Sequence, residues 1–169
     1  MPYLLRPLLA SLALLGSASV FAHVTASNAW TRATVPQQQA SGVFMDLRSA
    51  HDDAKLVGVR SDAAASTEIH EMRMEDNVMK MRAVTSIDLP KEQTVSLKPG
   101  SYHIMLMGLK KPLNAGDQVE LTLEVVHQDG KKESIPVTAP ARALGANAAA
   151  GHQHSKTEAP AAAHDQHKH

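Results

Sequence analysis

Between about Val24 and Pro140 the chain runs in short stretches where apolar and polar residues alternate or β-branched residues gather, and turn-forming residues interrupt them every eight to twelve positions or so. Successive side chains on a strand point to opposite faces, so alternation marks half-buried strands, and its regular interruption predicts an all-β sandwich or barrel. The expected strands are Gly42 to Arg48, Lys55 to Arg60, Thr67 to Met74, Val78 to Val84, Thr94 to Leu97, Tyr102 to Met107, Gln118 to His127 and Glu133 to Thr138. Turn-tolerant residues separate them at His51-Asp52-Asp53, Glu75-Asp76-Asn77, Lys98-Pro99-Gly100, Asn114-Ala115-Gly116-Asp117 and Gln128-Asp129-Gly130.

The pattern changes at both ends. MPYLLRPLLASLALLGSASVFA sets Arg6 ahead of an apolar run from Leu8 to Leu15 and finishes in Val20-Phe21-Ala22. This is the arrangement of a secretory signal, so residues 1–22 are expected to be cleaved, leaving His23 as a new N-terminus. The run is shorter than the roughly 20 residues of a membrane-spanning helix. The expectation is therefore an exported, soluble protein with no membrane insertion after cleavage. Residues 23–140 form the expected domain. Residues 141–169 are expected to be a disordered tail, which carries His152, His154, His164, His167 and His169 at spacings that suit loose imidazole chelation of a metal.

Composition narrows the chemistry. Seventeen Lys and Arg balance seventeen Asp and Glu, without the basic excess that nucleic acid requires, so no nucleic-acid partner is expected. There is no Cys, which excludes a disulfide framework, a thiolate zinc site, an iron-sulfur cluster, a Cys nucleophile, a blue-copper centre and an acylated lipoprotein anchor. No glycine-rich phosphate loop or GxSxG elbow occurs. What stands out is ten His and eight Met beside two Phe, two Tyr and one Trp.

Six of the Met fall between positions 72 and 107. On the expected strands His70, Met72 and Met74 share one face, Met79 and Met81 share another, and His103, Met105 and Met107 a third. The short turn near Glu75 to Asn77 makes the first two strands an antiparallel hairpin. A turn at Glu75-Asp76 sets His70 directly opposite Met81, and a turn at Asp76-Asn77 leaves them diagonal. Thioethers are soft, neutral ligands with more affinity for Cu(I) than for Mg, Ca or Zn, and Cu(I) accepts three or four such ligands together with imidazoles. Unlike thiols, they need no deprotonation and form no disulfides outside the cytosol. Any one of these Met residues alone reads as packing, and it is the conjunction that points to copper. Met72, Met74, Met79 and Met107 are open between shielding, relay and packing. His23 is a further candidate ligand, since a free amine beside an imidazole chelates metal. His51 and His127, among polar neighbours, read as surface residues.

The spacing resembles the periplasmic copper chaperones termed PCuAC, whose pattern is His or Met, ten residues, Met, twenty-one residues, His, one residue, Met. His70, Met81, His103 and Met105 match every interval, and LKPGSYHIMLMGLKKPL from Leu97 to Leu113 is similar as well. The resemblance runs from about Ala29-Trp30-Thr31-Arg32 to about Val137 and departs at Asn77, where relatives commonly have Gly. It implies a cupredoxin-like Greek-key β-sandwich or barrel holding one Cu(I) through those four residues. It also implies delivery to the CuA site of cytochrome c oxidase subunit II or to a Sco-type assembly factor, and a tail that holds Cu(II). The alternatives are a copper-dependent redox enzyme built on a His23 chelate, which turnover would reveal, and a periplasmic copper buffer or resistance protein. A binding module whose Met merely fill a sheet is the third, and it would keep its Cu(I) affinity when Met81 and Met105 are replaced.

Overall fold

The structure, a computed structural model, describes residues 23–143 and Gly145. The expected signal peptide and nearly all of the His-rich tail lie outside those residues. Ten strands follow one another: β1 (Val24–Arg32), β2 (Ala40–Ser49), β3 (Ala54–Arg60), β4 (Ala64–Glu75), β5 (Val78–Ala83), β6 (Ile87–Leu89), β7 (Thr94–Leu97), β8 (His103–Leu109), β9 (Gln118–His127) and β10 (Lys132–Arg142). Among the described residues there is no helix.

Hydrogen bonds connect the strands in the order β5-β4-β8-β2-β1-β10-β9-β3-β6, with β7 also on β2. A parallel step, Thr31↔Ala141 and Arg32↔Arg142, joins the two antiparallel halves. Neighbours such as β4 and β8 or β9 and β3 are distant in sequence, so the chain crosses repeatedly between layers, as a Greek key requires. Among the described residues β5 and β6 are free edges, so the sheet they form is open rather than closed into a hydrogen-bonded barrel.

Alternation builds the core. In β9, Val119, Leu121, Leu123 and Val125 are buried and face Ile135, Val137 and Ala139 of β10 across one layer. Val43, Met45, Leu47, Ile69, Ile104 and Leu106 supply the other. Each fully buried side chain of this size contributes about 1.5 to 3 kcal/mol.

Two strands escape the alternation rule. β1 contains a register shift between Ser27 and Trp30, with Asn28 at φ 54, and a bulge of this kind puts the side chains out of phase. β6 is three residues long, too short to show a period. β10 runs beyond its expected end because Ala141 and Arg142 pair with β1.

Candidate metal centre

The turn between β4 and β5 uses Asp76 and Asn77, at φ 50 and 60, the left-handed pair that a two-residue hairpin of matching twist needs. It fixes the register at Met74↔Met79, Met72↔Met81, Glu71↔Arg82 and His70↔Ala83. Of the two registers compatible with the sequence, this is the one that leaves His70 diagonal to Met81. The other face holds it in place. Glu71 is buried, accepts from Arg82 at 2.8 and 3.1 Å and from Arg73 at 3.1 Å. The Arg82 hydrogen bond holds the Glu71 carboxyl below its ordinary range against the opposing effect of burial.

β8 lies on the other side of β4, with Ile69↔Ile104, His70↔His103 and Glu68↔Met105 in register. The two imidazoles are thus direct cross-strand partners, with ring centroids 5.7 Å apart and planes at 63°. Met81 and Met105 are each diagonal to His70, where Cβ atoms stand roughly 7 to 8 Å apart. They lie on opposite sides of it along the strand. On an untwisted ladder, two strands and four residues of offset separate their Cα atoms by about 16 Å. Two extended thioethers sharing one ion, with metal–sulfur bonds of about 2.3 Å, span somewhat less. For one ion to take both sulfurs, sheet twist and bending of the hairpin would have to close the remainder. β5 is exposed at every position and, among the described residues, pairs only with β4, so it is the element free to bend.

Each imidazole has one nitrogen tied off. His103 is buried and its Nδ1 lies 2.9 Å from the Ser101 carbonyl oxygen. A carbonyl only accepts, so Nδ1 donates and Nε2 carries the lone pair. His70 Nε2 lies 2.8 Å from Glu68 Oε2, while its Nδ1 is buried and has no hydrogen-bond partner among the described residues. Leaving a buried polar atom unpaired costs about 1 to 3 kcal/mol. Donation of the outer N–H to a carboxylate or carbonyl, with the inner nitrogen left bare, is the usual arrangement of metal-binding imidazoles.

The surroundings position His103. The Phe44 ring lies 6.3 Å from it and is covered by Trp30 at 4.4 Å. A Cβ at Gly42 would meet Phe44 Cζ at 2.9 Å, so only glycine lets that ring fold back over β2. A shallow cleft beside this stack is lined by His103, Met105 and Met72. Met72, open in the sequence between shielding, relay and packing, thus lines the same cleft as His103 and Met105. Met74 and Met79 pair near the turn and are exposed, and Met107 lies opposite Ala40. Glu68, which orients His70, escaped the sequence reading. Its signal was the position two residues before His70, on the same face.

His51 and His23 are exposed, but His127 corrects the surface reading. It is 8% exposed, with Nδ1 3.1 Å from Asp52 Oδ1 and Nε2 2.9 Å from Glu133 Oε2. Burial favours its neutral form, yet the hydrogen bonds to Asp52 and Glu133 outweigh this and raise its pKa above the ordinary histidine value. The acids that enclose it come from positions remote in sequence. The tail residues His152, His154, His164, His167 and His169 lie outside the described residues.

A family model described as LpqE-like, a lipoprotein family, matches residues 24–141. The chain belongs to the LpqE-like family. The protein Lxx21020 of Leifsonia xyli subsp. xyli, named as a lipoprotein, is 34% identical over 116 residues, 68% of this chain and 69% of that one. An uncharacterized protein of Rickettsia prowazekii, RP573, is 33% identical over 101 residues, and the match covers only 54% of its length. Among solved structures, the apo PCuAC domain from PmoF1 gives a TM-score of 0.59 at 21% identity, covering 73% of this chain and 96% of that one. Copper(I)-bound DR1885 from Deinococcus radiodurans gives 0.53 at 28% identity, covering 75% and 83%. The all-β, cupredoxin-like fold expected from the sequence is the fold these likenesses show.

Proposed function

We propose that the protein is an exported copper carrier that binds Cu(I) through His70, His103, Met81 and Met105 and releases it by ligand exchange. The observation that carries this reading is the pair of adjacent imidazoles, each with one N–H bound to an oxygen and the other nitrogen bare, on a sheet face rich in thioethers. Two nitrogen and two sulfur donors without any carboxylate make a set for a soft monovalent ion. Support also comes from the likeness to DR1885, described in its copper(I) form, at 28% identity. Met81 is 52% exposed, so an acceptor offering stronger ligands meets this sulfur first and displaces it before the buried His103. Stepwise exchange of this kind requires no bond-making chemistry in the protein, which suits a carrier rather than an enzyme. The acceptor we favour is the CuA site of cytochrome c oxidase subunit II or a Sco-type assembly factor. The His-rich tail would hold Cu(II) near the domain, a tether making the second encounter intramolecular.

The test is a Cu(I) titration of the full chain with 13C-labelled methionine methyl groups. The methyls of Met81 and Met105 shift together and saturate at one equivalent, whereas those of Met74 and Met79 do not. Shifts confined to other methionines, or no uptake of Cu(I), would overturn the assignment.

A further inference from the structure

The opposite end of β2 gathers a second set of ligand-type side chains. His23 precedes β1, Asp52 lies in the turn between β2 and β3, His127 ends β9 and Glu133 is near the start of β10. From Val43, level with the first site, to Ala50, which donates to the His23 carbonyl at 2.9 Å, the chain extends about 20 Å. One ligand atom each from His23, Asp52 and His127 lies within 4.8 Å of the other two. The His23 ring centroid is 5.3 Å from that of His127 and 5.4 Å from that of His51. A cleft lined by His23, Asp52, His127 and Glu133 opens onto the group.

One pair already has the spacing of a coordination shell, and the exposed His23 ring has to turn toward it. Two ligands at about 2.1 Å from one ion, at angles between square and tetrahedral, stand about 3.0 to 3.4 Å apart, and His127 Nδ1 and Asp52 Oδ1 are 3.1 Å apart. His127 Nε2 faces Glu133 Oε2 at 2.9 Å, and the other carboxylate oxygen of Glu133 accepts the His23 backbone N–H at 3.1 Å. Glu133 thus stands behind the His127 imidazole, as outer carboxylates do behind metal-bound imidazoles, and anchors the His23 backbone beside it.

We propose that His23, Asp52 and His127 form a second metal site, for a divalent ion bound by nitrogen and oxygen, with Glu133 orienting His127. Imidazole and carboxylate suit Cu(II), Zn(II) and Ni(II), and the order of affinities among divalent ions places Cu(II) first. An ion entering between His127 and Asp52 takes the place of the proton they share. Removal of residues 1–22, expected from the sequence, would add the His23 amine as a further ligand. The proposal does not rest on the Cu(I) reading, because it uses different residues and a different oxidation state.

The experiment uses the full-length chain with the tail residues His152, His154, His164, His167 and His169 each changed to Gln, so that the tail does not compete. Cu(II) is titrated and followed by electron paramagnetic resonance and by paramagnetic broadening of backbone amides. The expected result is one equivalent of nitrogen-coordinated Cu(II) that broadens Val24, Asp52 and Gln128 before His103. His23→Ala should lower Cu(II) affinity at least tenfold and His127→Gln further, with Cu(I) affinity unchanged in both. His23 is exposed, so its variant keeps the test valid if the His127 change impairs folding. Broadening centred on His70 and His103, or Cu(II) affinity unaltered by His23→Ala, would overturn the proposal. Loss of Cu(I) binding in the parent chain with the Cu(II) signal intact would overturn only the carrier reading.

Discussion

The two ends of β2 present ligand-type side chains of opposite character. At one end, thioethers and imidazoles lie on an outer sheet face whose last strand, β5, is exposed at all six positions. At the other, imidazoles and carboxylates are tied together from four separate parts of the chain, and His127 is enclosed between two acids. The first set suits a soft ion and is built on an arm that can bend. The second suits a harder ion and is fixed by its surroundings. Under the two proposals, a single small sheet would hold two oxidation states of one metal apart, because donor chemistry separates them and β2 keeps them about 20 Å from each other.

That comparison breaks most visibly if the sulfurs are removed. Met81→Leu with Met105→Leu should lower Cu(I) affinity by more than about hundredfold, since losing only an outer partner costs about 10- to 100-fold. Cu(II) binding at the far end should not change, and competition with a chromophoric Cu(I) chelator measures the loss. Glu68→Gln should cost about tenfold in Cu(I) affinity, because it weakens the acceptor that fixes the His70 tautomer.

Asp46, in the middle of β2, tests whether the strut is independent of both ends. It accepts from Asn28 at 2.8 Å and Ser96 at 2.6 Å, and these bonds, Asn28 first, hold its carboxyl below the ordinary value of 3.8. A depressed folded-state pKa gives stability that is complete above the unfolded value and is lost as pH falls through the folded one. Asp46→Ala should therefore destabilise by about 1 to 2 kcal/mol at neutral pH. Denaturation at a series of pH values should show the gap from the unchanged chain closing below about pH 4, with both metal affinities unaltered.

The smallest effect is at the arm's turn. Asn77 sits at φ 60, where a side chain costs more than glycine does, so Asn77→Gly should raise stability by about 0.5 to 1 kcal/mol. Thermal unfolding would show the gain.

How much of this was legible depends on how local the physics is. β9 declares itself over Gln118 to His127 because its alternation is unbroken and a turn residue stands at each end. β1 hides because its bulge at Ser27 and Trp30 shifts the phase. The hairpin was readable from Glu75 to Asn77, but its register was not, since neighbouring pairs of turn residues satisfy the same chemistry. The pairing of His70 with His103 depends on β8 returning beside β4, which no local pattern specifies. His127 misleads for the same reason: its sequence neighbours are polar turn residues, while Asp52 lies 75 positions away.

X-ray absorption at the copper edge, on the full chain loaded anaerobically with one equivalent of Cu(I), tests the central claim most directly. The account predicts a monovalent ion with two sulfur and two nitrogen neighbours. A shell of nitrogen and oxygen alone, or copper that fails to remain bound to the folded chain, would contradict it.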